Sequence, residues 1–185
     1  MSTKRIVITG GPGTGKSVVV KALEAQGFLC YHEVIRDMTA SARTTSTEKA
    51  QVSNPLVFVD DPLDFNQKIL SGRTEHYQES LSENENLIFF DRGIPDVLAY
   101  MDFFKQSYPT SFESACKNHR YDAVLIMPPW EAIYVSDNER LESFEEASAI
   151  HQHLIQTYRR FGYDPLEVPK ISVTQRVAFI LKTLS

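Results

Sequence analysis

Short apolar runs alternate along the chain with longer stretches in which apolar residues recur at helical spacing. The runs that predict strands cover residues 6–8, 28–32, 87–90, 123–127 and 166–168. The run at 87–90 is apolar at every position, which is typical of a central parallel strand covered by helices on both faces. Because strands and helices alternate, the pattern predicts the α/β class with a parallel sheet.

Helices are predicted where the apolar spacing and the residues that start or end helices agree. The predicted helices cover residues 16–26, 33 to about 42, 61 to about 81, 95 to about 105, 142–161 and 173–184. Gly27 and Gly162 follow two of them where a glycine commonly ends a helix, and Ser172 is a typical N-cap before the last. Residues 43–61 are rich in Thr, Ser, Asn and Pro, so we predict a loop or a short helix there.

Composition narrows the class of protein further. A chain of 185 residues with 42% hydrophobic and 23% charged residues predicts a single globular domain over residues 1–185. The net charge of −5 argues against a broad surface for nucleic acid or for an anionic membrane. Cys30 and Cys116 are far apart, which predicts reduced thiols and a cytoplasmic location. No apolar segment is long enough to predict a signal sequence or a membrane span.

The strongest chemical signal is the segment GGPGTGKS at residues 10–17, which matches the P-loop pattern G-x-x-x-x-G-K-[ST] between a predicted strand and a predicted helix. Glycines let backbone amides surround a polyphosphate, and the positive end of the helix faces it. Lys16 is expected to reach the terminal phosphates and Ser17 to provide an oxygen ligand for Mg²⁺. The predicted nucleotide-binding residues are Gly11, Pro12, Gly13, Thr14, Gly15, Lys16, Ser17 and Val18.

Two other interpretations of this segment were weighed. A glycine-rich connection between strand and helix has no need of Lys16 and Ser17 at these places. A dinucleotide-binding loop would use Glu33 as the ribose-binding acid. However, the glycines do not complete G-x-G-x-x-G, and Lys16 stands where the third glycine belongs.

Acidic and basic residues at the predicted strand ends are further candidates. Asp91 ends the all-apolar run, where a P-loop protein holds Mg²⁺ or a kinase keeps its general base, while Arg92 would face phosphate or an acidic group of the substrate. Asp91 could instead be a helix N-cap or a turn residue. Glu33 and Arg36 share one helix face at the second strand end, so they are either substrate contacts or a structural ion pair.

A lid over the triphosphate is predicted around residues 130–162. Within it, Arg140 is a candidate for stabilising transition-state charge, although a solvated surface arginine explains the residue equally well. His151 and His153 are two positions apart and point to different helix faces, so we do not predict a metal site there.

Taken together, these motifs resemble the NadR-like P-loop family. That family includes the nicotinamide riboside kinase domain of NadR and many proteins labelled AAA-type ATPases. The matching features are residues 10–17, Glu33 with Arg36, Asp91-Arg92-Gly93, Asp137 with Arg140, and residues 158–162 before a short strand. The resemblance spans nearly the whole chain and extends to thymidylate and deoxynucleoside kinases. It implies a three-layer αβα sandwich with five parallel strands, ATP as phosphoryl donor, and catalytic or binding roles for Lys16, Ser17, Glu33, Asp91 and Arg140.

The sequence departs from the mechanochemical AAA+ pattern, because it has neither a two-acid Walker B motif nor a small helical lid domain. The leading hypothesis is therefore a kinase that uses Mg²⁺ and ATP to phosphorylate a small nucleoside-like acceptor. The alternative is a nucleotide-dependent switch or regulatory ATPase or GTPase, in which residues 43–61 respond to the γ-phosphate. No N-K-x-D motif is present, which argues against a Ras-like GTPase and leaves GTP open as the donor. A polynucleotide end-kinase would need a basic track that the net charge does not indicate.

Overall fold

A single parallel sheet organises the molecule. The computed structural model describes residues 3–35, 61–134 and 143–184. The strands are β1 (Lys4–Gly10), β2 (Leu29–Tyr31), β3 (Leu87–Asp91), β4 (Ala123–Met127) and β5 (Leu166–Glu167). They pair in the order β2-β3-β1-β4-β5, and every pair is parallel. The predicted five-stranded parallel sheet is therefore confirmed.

Helices cover both faces of the sheet. They are α1 (Lys16–Glu24), α2 (Pro62–Glu79), α3 (Ile94–Phe103), α4 (Thr110–Asn118), α5 (Phe144–Arg160) and α6 (Val173–Leu184), with short 3-10 turns at Ser80–Ser82 and Glu131–Ile133. The helix predicted from residue 33 begins at Val34, but most of it lies outside the described residues. The sequence pattern predicted no helix at α4, whose buried side chains within the helix are only Phe112 and Cys116.

Two hydrophobic cores lie on opposite faces of the sheet. Ile6 and Ile8 of β1 pack with α1 and α6, whereas Val7 packs with α2, α3, α4 and α5. Successive strand residues point to opposite faces, and both faces here are covered, so neither set of side chains meets water. Burying each such side chain contributes about 1.5–3 kcal/mol. The three-layer αβα sandwich follows directly from this arrangement.

Both cysteines are free thiols in these cores. Burial raises the pKa of Cys30 and of Cys116 to about 12, so neither is a thiolate nucleophile near neutral pH. In the part of the chain that the structure describes, no helix combines the length and the apolar character needed to cross a membrane.

The parallel arrangement of the strands also determines the position of the candidate active site. The carboxyl ends of β1, β3 and β4 meet at one edge of the sheet, where the P-loop leaves β1 and Asp91 ends β3. In open α/β sheets, ligands bind at this edge.

Candidate active site

The P-loop, residues 10–17, joins β1 to α1 through a backbone that needs glycine. Gly10 has φ +148°, and a Cβ there would lie 2.5 Å from the Met127 carbonyl oxygen of β4. Gly15 has φ +81° and directly precedes α1, which no side chain caps. No side chain of the described residues therefore competes with an anion for the N-terminus of α1, where the sequence predicts that a polyphosphate binds.

Lys16 folds over its own loop. Its Nζ donates hydrogen bonds to the Gly11 carbonyl oxygen at 2.7 Å and to Thr14 Oγ1 at 3.4 Å. Burial and, to a smaller extent, the charge of Arg92 lower the pKa of Lys16 to about 7, although the opposing charges of Asp91, Glu33 and Asp96 raise it in part. The Lys16 amino group lies against the loop. A polyphosphate bound there would favour the charged ammonium form and raise the pKa of Lys16 again.

Asp91 ends β3, the strand next to β1, and Ser17 is the last residue of the loop. Asp91 is 4% exposed at the end of β3, opposite Ile8 of β1, and its negative charge raises the pKa of Lys16. The N-cap of α3 is Gly93, so the interpretation of Asp91 as a helix cap is wrong. Ser17 is half-buried in the first turn of α1, and Val18 beside it is exposed.

No protein cage for a metal is seen in residues 3–35, 61–134 and 143–184, where no group of three or more His, Cys, Asp or Glu side chains could hold an ion. Magnesium binds mainly through phosphate oxygens and waters, with one or two oxygens from the protein. Ser17 and Asp91 are oxygen donors at the P-loop edge, and they fit that mode of binding.

Glu33 lies just after β2 and is held by two arginines. Its Oε1 accepts a hydrogen bond from Arg73 at 2.8 Å, and its Oε2 lies 2.5 Å from Arg92 Nε. Burial would raise the pKa of Glu33, but Arg73 and Arg92 lower it overall. Arg36, the predicted partner, lies outside the described residues. Glu33 is therefore a fully ionised carboxylate whose two oxygens are already engaged.

Arg92 connects this carboxylate to the P-loop. Its backbone is in the left-handed region at φ 75°, and its amide donates to the Ile8 carbonyl of β1. Its NH1 group lies 3.3 Å from both the Gly10 carbonyl oxygen and Asp96 Oδ1. The guanidinium also lies 5.1 Å from the centre of the Tyr100 ring. The sequence selected Arg92 as a contact for the substrate, but it did not predict these partners.

Asp96, which the sequence analysis missed, has no exposed surface. It accepts hydrogen bonds from Thr9 Oγ1 at 2.5 Å, from Tyr158 OH at 2.5 Å and from the Gly93 amide at 3.0 Å. The signal that could have found it is the capping position of an acid three residues after Gly93. Together, Glu33, Arg73, Arg92 and Asp96 form what we term the four-charge cluster.

Arg73 is the other member that the sequence did not predict. It comes from the middle of α2 and is 5% exposed, and its NH1 group donates to the Gly93 carbonyl oxygen at 3.1 Å. Nothing in the local pattern of α2 distinguishes Arg73 from a solvated arginine, because only the fold brings it to Glu33 and to the Gly93 carbonyl.

Part of the segment predicted as a lid is a core helix. Residues 144–160 form α5, and the Ala147 carbonyl oxygen would lie 2.9 Å from a Cβ on Gly11, so α5 packs directly on the P-loop. Arg140 lies outside the described residues, as does Asp137. His151 is buried beside Glu167, whereas His153 contacts the Phe103 ring, so the two histidines have different surroundings.

Comparison with known proteins agrees with this fold. The model of a family described as an AAA domain matches residues 5–176. No curated protein matches the chain.

Several solved structures share the architecture. A deoxyadenosine kinase from M. mycoides, solved with dCMP and dCDP, superposes with a TM-score of 0.68 over 97% of this chain and 98% of its own, at 15% identity. The thymidylate kinase of Ehrlichia chaffeensis gives 0.65 over the full length of both chains, at 11% identity. The NadR protein in complex with NR gives 0.70 over 98% of this chain, which spans 50% of the NadR chain, at 16% identity. At these identities the likeness shows a shared fold of P-loop nucleoside and nucleotide kinases.

Proposed function

The chain belongs to the AAA domain family and has the fold of nucleoside and nucleotide kinases, and on this premise we propose that it is a kinase for a small nucleoside-like acceptor. Its phosphoryl donor is ATP with Mg²⁺. The observation that carries the proposal is the position of Lys16, which lies on the P-loop and within electrostatic range of Asp91 and Glu33. A cation for the terminal phosphate and carboxylates for an acceptor hydroxyl thus share one edge of the sheet.

The residues of the loop would bind and orient the donor. The amides of residues 13–17 surround the β- and γ-phosphates, and Lys16 neutralises charge on the transferred group. Ser17 and Asp91 would hold Mg²⁺, which supplies charge neutralisation of the phosphates when bound.

The two carboxylates suit different tasks. Glu33 is held ionised by Arg73 and Arg92, so its affinity for a proton is low, and it is better suited to orienting the acceptor than to deprotonating it. Asp91 is the better candidate for accepting the hydroxyl proton provided that it holds Mg²⁺ through a water molecule, because direct coordination would lower its affinity for a proton as well. In this scheme the acceptor oxygen bonds to the γ-phosphorus, the bond to the β-phosphate oxygen breaks, ADP leaves, and the proton stays on Asp91.

The test is ADP formation from Mg-ATP across a panel of nucleosides, nucleoside monophosphates and vitamins. We expect one acceptor class to stimulate turnover by at least about tenfold over the acceptor-free rate, because positioning of the acceptor dominates phosphoryl transfer. Slow turnover that no acceptor stimulates would instead support the switch or regulatory ATPase. Mass analysis of the stimulated reaction must find one added phosphoryl group on the acceptor.

A further inference from the structure

Arg176 is a buried arginine at the P-loop to which the proposed function assigns no role. It comes from the first turn of α6 and is 2% exposed. Its NH1 group donates a hydrogen bond to the Thr14 carbonyl oxygen at 3.0 Å, and its guanidinium lies 4.7 Å from the centre of the Trp130 ring. No group in the described ranges accepts a hydrogen bond from its Nε or NH2. Burying an incompletely paired guanidinium costs free energy, so its single polar contact calls for a reason.

The contact fixes the orientation of one peptide group in the loop. The peptide bond between Thr14 and Gly15 is trans, so the carbonyl of Thr14 and the amide of Gly15 point in opposite directions within their shared peptide plane. Because Arg176 holds the carbonyl oxygen on the side of α6, the Gly15 amide is directed to the other side. A cation at the carbonyl also polarises the peptide and strengthens its amide as a donor.

Gly15 leaves room for the Arg176 guanidinium to lie close to the loop backbone. A Cβ at Gly15 would lie 3.0 Å from Arg176 NH1, and φ is +81°, so a larger residue would meet both the guanidinium and an unfavourable backbone conformation. The guanidinium carbon lies over the Trp130 ring, 4.7 Å from its centre, and this contact restricts the orientation of the guanidinium. A planar guanidinium can stack on the Trp130 ring and donate to the Thr14 carbonyl oxygen at the same time, and the ammonium group of a lysine cannot do both.

We propose that Arg176 is a positioning residue for the nucleotide: it holds the Thr14–Gly15 peptide so that the Gly15 amide faces the polyphosphate. This role presupposes that the loop binds a nucleotide, as in the proposed function. Arg176 acts through the backbone of the loop and has no contact of its own with the phosphates or with the base.

The test compares Arg176→Met with wild type by calorimetric titration of Mg-ATP and, separately, of Mg-tripolyphosphate, which has no base or ribose. The control is Lys182→Met, which removes an exposed cation from the same helix. We expect the substitution at Arg176 to weaken both ligands by the same factor, roughly ten- to a hundredfold, because one charge-assisted amide–phosphate hydrogen bond is misaligned. The control should bind both ligands as wild type does.

Two results would overturn the proposal. Unchanged affinity for both ligands would make Arg176 a packing residue only. A loss for Mg-ATP with none for tripolyphosphate would place its free N–H groups on the base instead. Arg176→Lys should recover less than half of the lost binding free energy for either ligand, and full recovery would count against the need for a planar group.

If Arg176→Met does not fold, a fluorescence measurement on the wild-type protein tests the proposal instead. Trp130 is the only tryptophan of the chain, so its fluorescence reports on the Arg176 contact. Saturating tripolyphosphate should change that emission, and an unchanged spectrum would contradict the coupling between loop and guanidinium. None of these measurements needs an acceptor. If the wild type phosphorylates no acceptor but Arg176→Met shows the expected losses of affinity, only the proposed kinase activity is contradicted. If the wild type is an active kinase but Arg176→Met binds both ligands normally, only the role of Arg176 is contradicted.

Discussion

The P-loop and the four-charge cluster lie at the same edge of the sheet, but they are built in different ways. The P-loop is eight consecutive residues whose backbone amides are the expected binding groups. The cluster takes Glu33, Arg73, Arg92 and Asp96 from separate parts of the chain and relies on side-chain charges. A site made of backbone is specified locally, whereas a site made of distant charges exists only once the fold brings them together.

This difference predicts that damage to the cluster destabilises the fold more than damage to the loop. We expect Arg73→Met to lower the free energy of unfolding by about 3–5 kcal/mol, because it leaves Glu33 buried with one of its two partners removed. Urea unfolding measures the effect. The control is Lys68→Met on the same helix, which breaks an exposed pair with Asp64 and should cost at most about 1 kcal/mol. Equal losses in the two variants would contradict the importance of the cluster.

A substitution in the P-loop should affect catalysis more than it affects the stability of the fold. We expect Lys16→Met to reduce the turnover rate by about 100- to 1000-fold, since it removes the charge that stabilises the transferred group. Its free energy of unfolding should not fall, because burying this lysine is unfavourable to its charged form. Steady-state kinetics with the best acceptor checks the rate.

The matched control for that variant is Lys21→Ala, which removes an exposed lysine from the same helix. Its turnover should equal that of wild type. A similar loss of activity in both variants would mean that Lys16 acts through general charge and not through its place on the loop.

A smaller effect is expected in the acid dependence of stability. Burial would raise the pKa of Asp96, but Arg73, Arg92 and the hydrogen bonds from Thr9 and Tyr158 lower it overall. The unfolded state then binds more protons than the folded state between that lowered pKa and about 4, so stability rises with pH across this window. The contribution is present above about pH 4 and is lost as the pH falls through the folded-state pKa.

Asp96→Asn should therefore destabilise the protein by about 1–3 kcal/mol at neutral pH and flatten the dependence of stability on pH below about 4. Urea unfolding at a series of pH values measures both effects. Asp64→Asn changes an exposed carboxylate and should leave the slope as in wild type. A slope in the Asp96 variant as steep as that of wild type would show that Asp96 does not carry the effect.

The same contrast explains what the sequence could predict. The strands and the P-loop follow from consecutive residues, and the structure confirms the sheet, whereas the role of Lys16 in binding phosphate stays a prediction. Glu33 and Arg92 were selected because they follow apolar runs, which is also a local signal. Arg73 and Arg176 lie within amphipathic helices where no neighbour marks them as buried, so their roles depend on contacts between residues far apart in sequence. The helix α4 was missed because its short apolar face resembles a loop with scattered apolar residues.

The most direct test is a structure of the protein with Mg²⁺ and a non-hydrolysable ATP analogue. The account predicts that the β- and γ-phosphates lie against the amides of residues 13–17 and that Lys16 Nζ leaves the Gly11 carbonyl oxygen, now 2.7 Å away, for the γ-phosphate. A triphosphate bound elsewhere, or a lysine that keeps its contact with Gly11 while the nucleotide is bound, would contradict it.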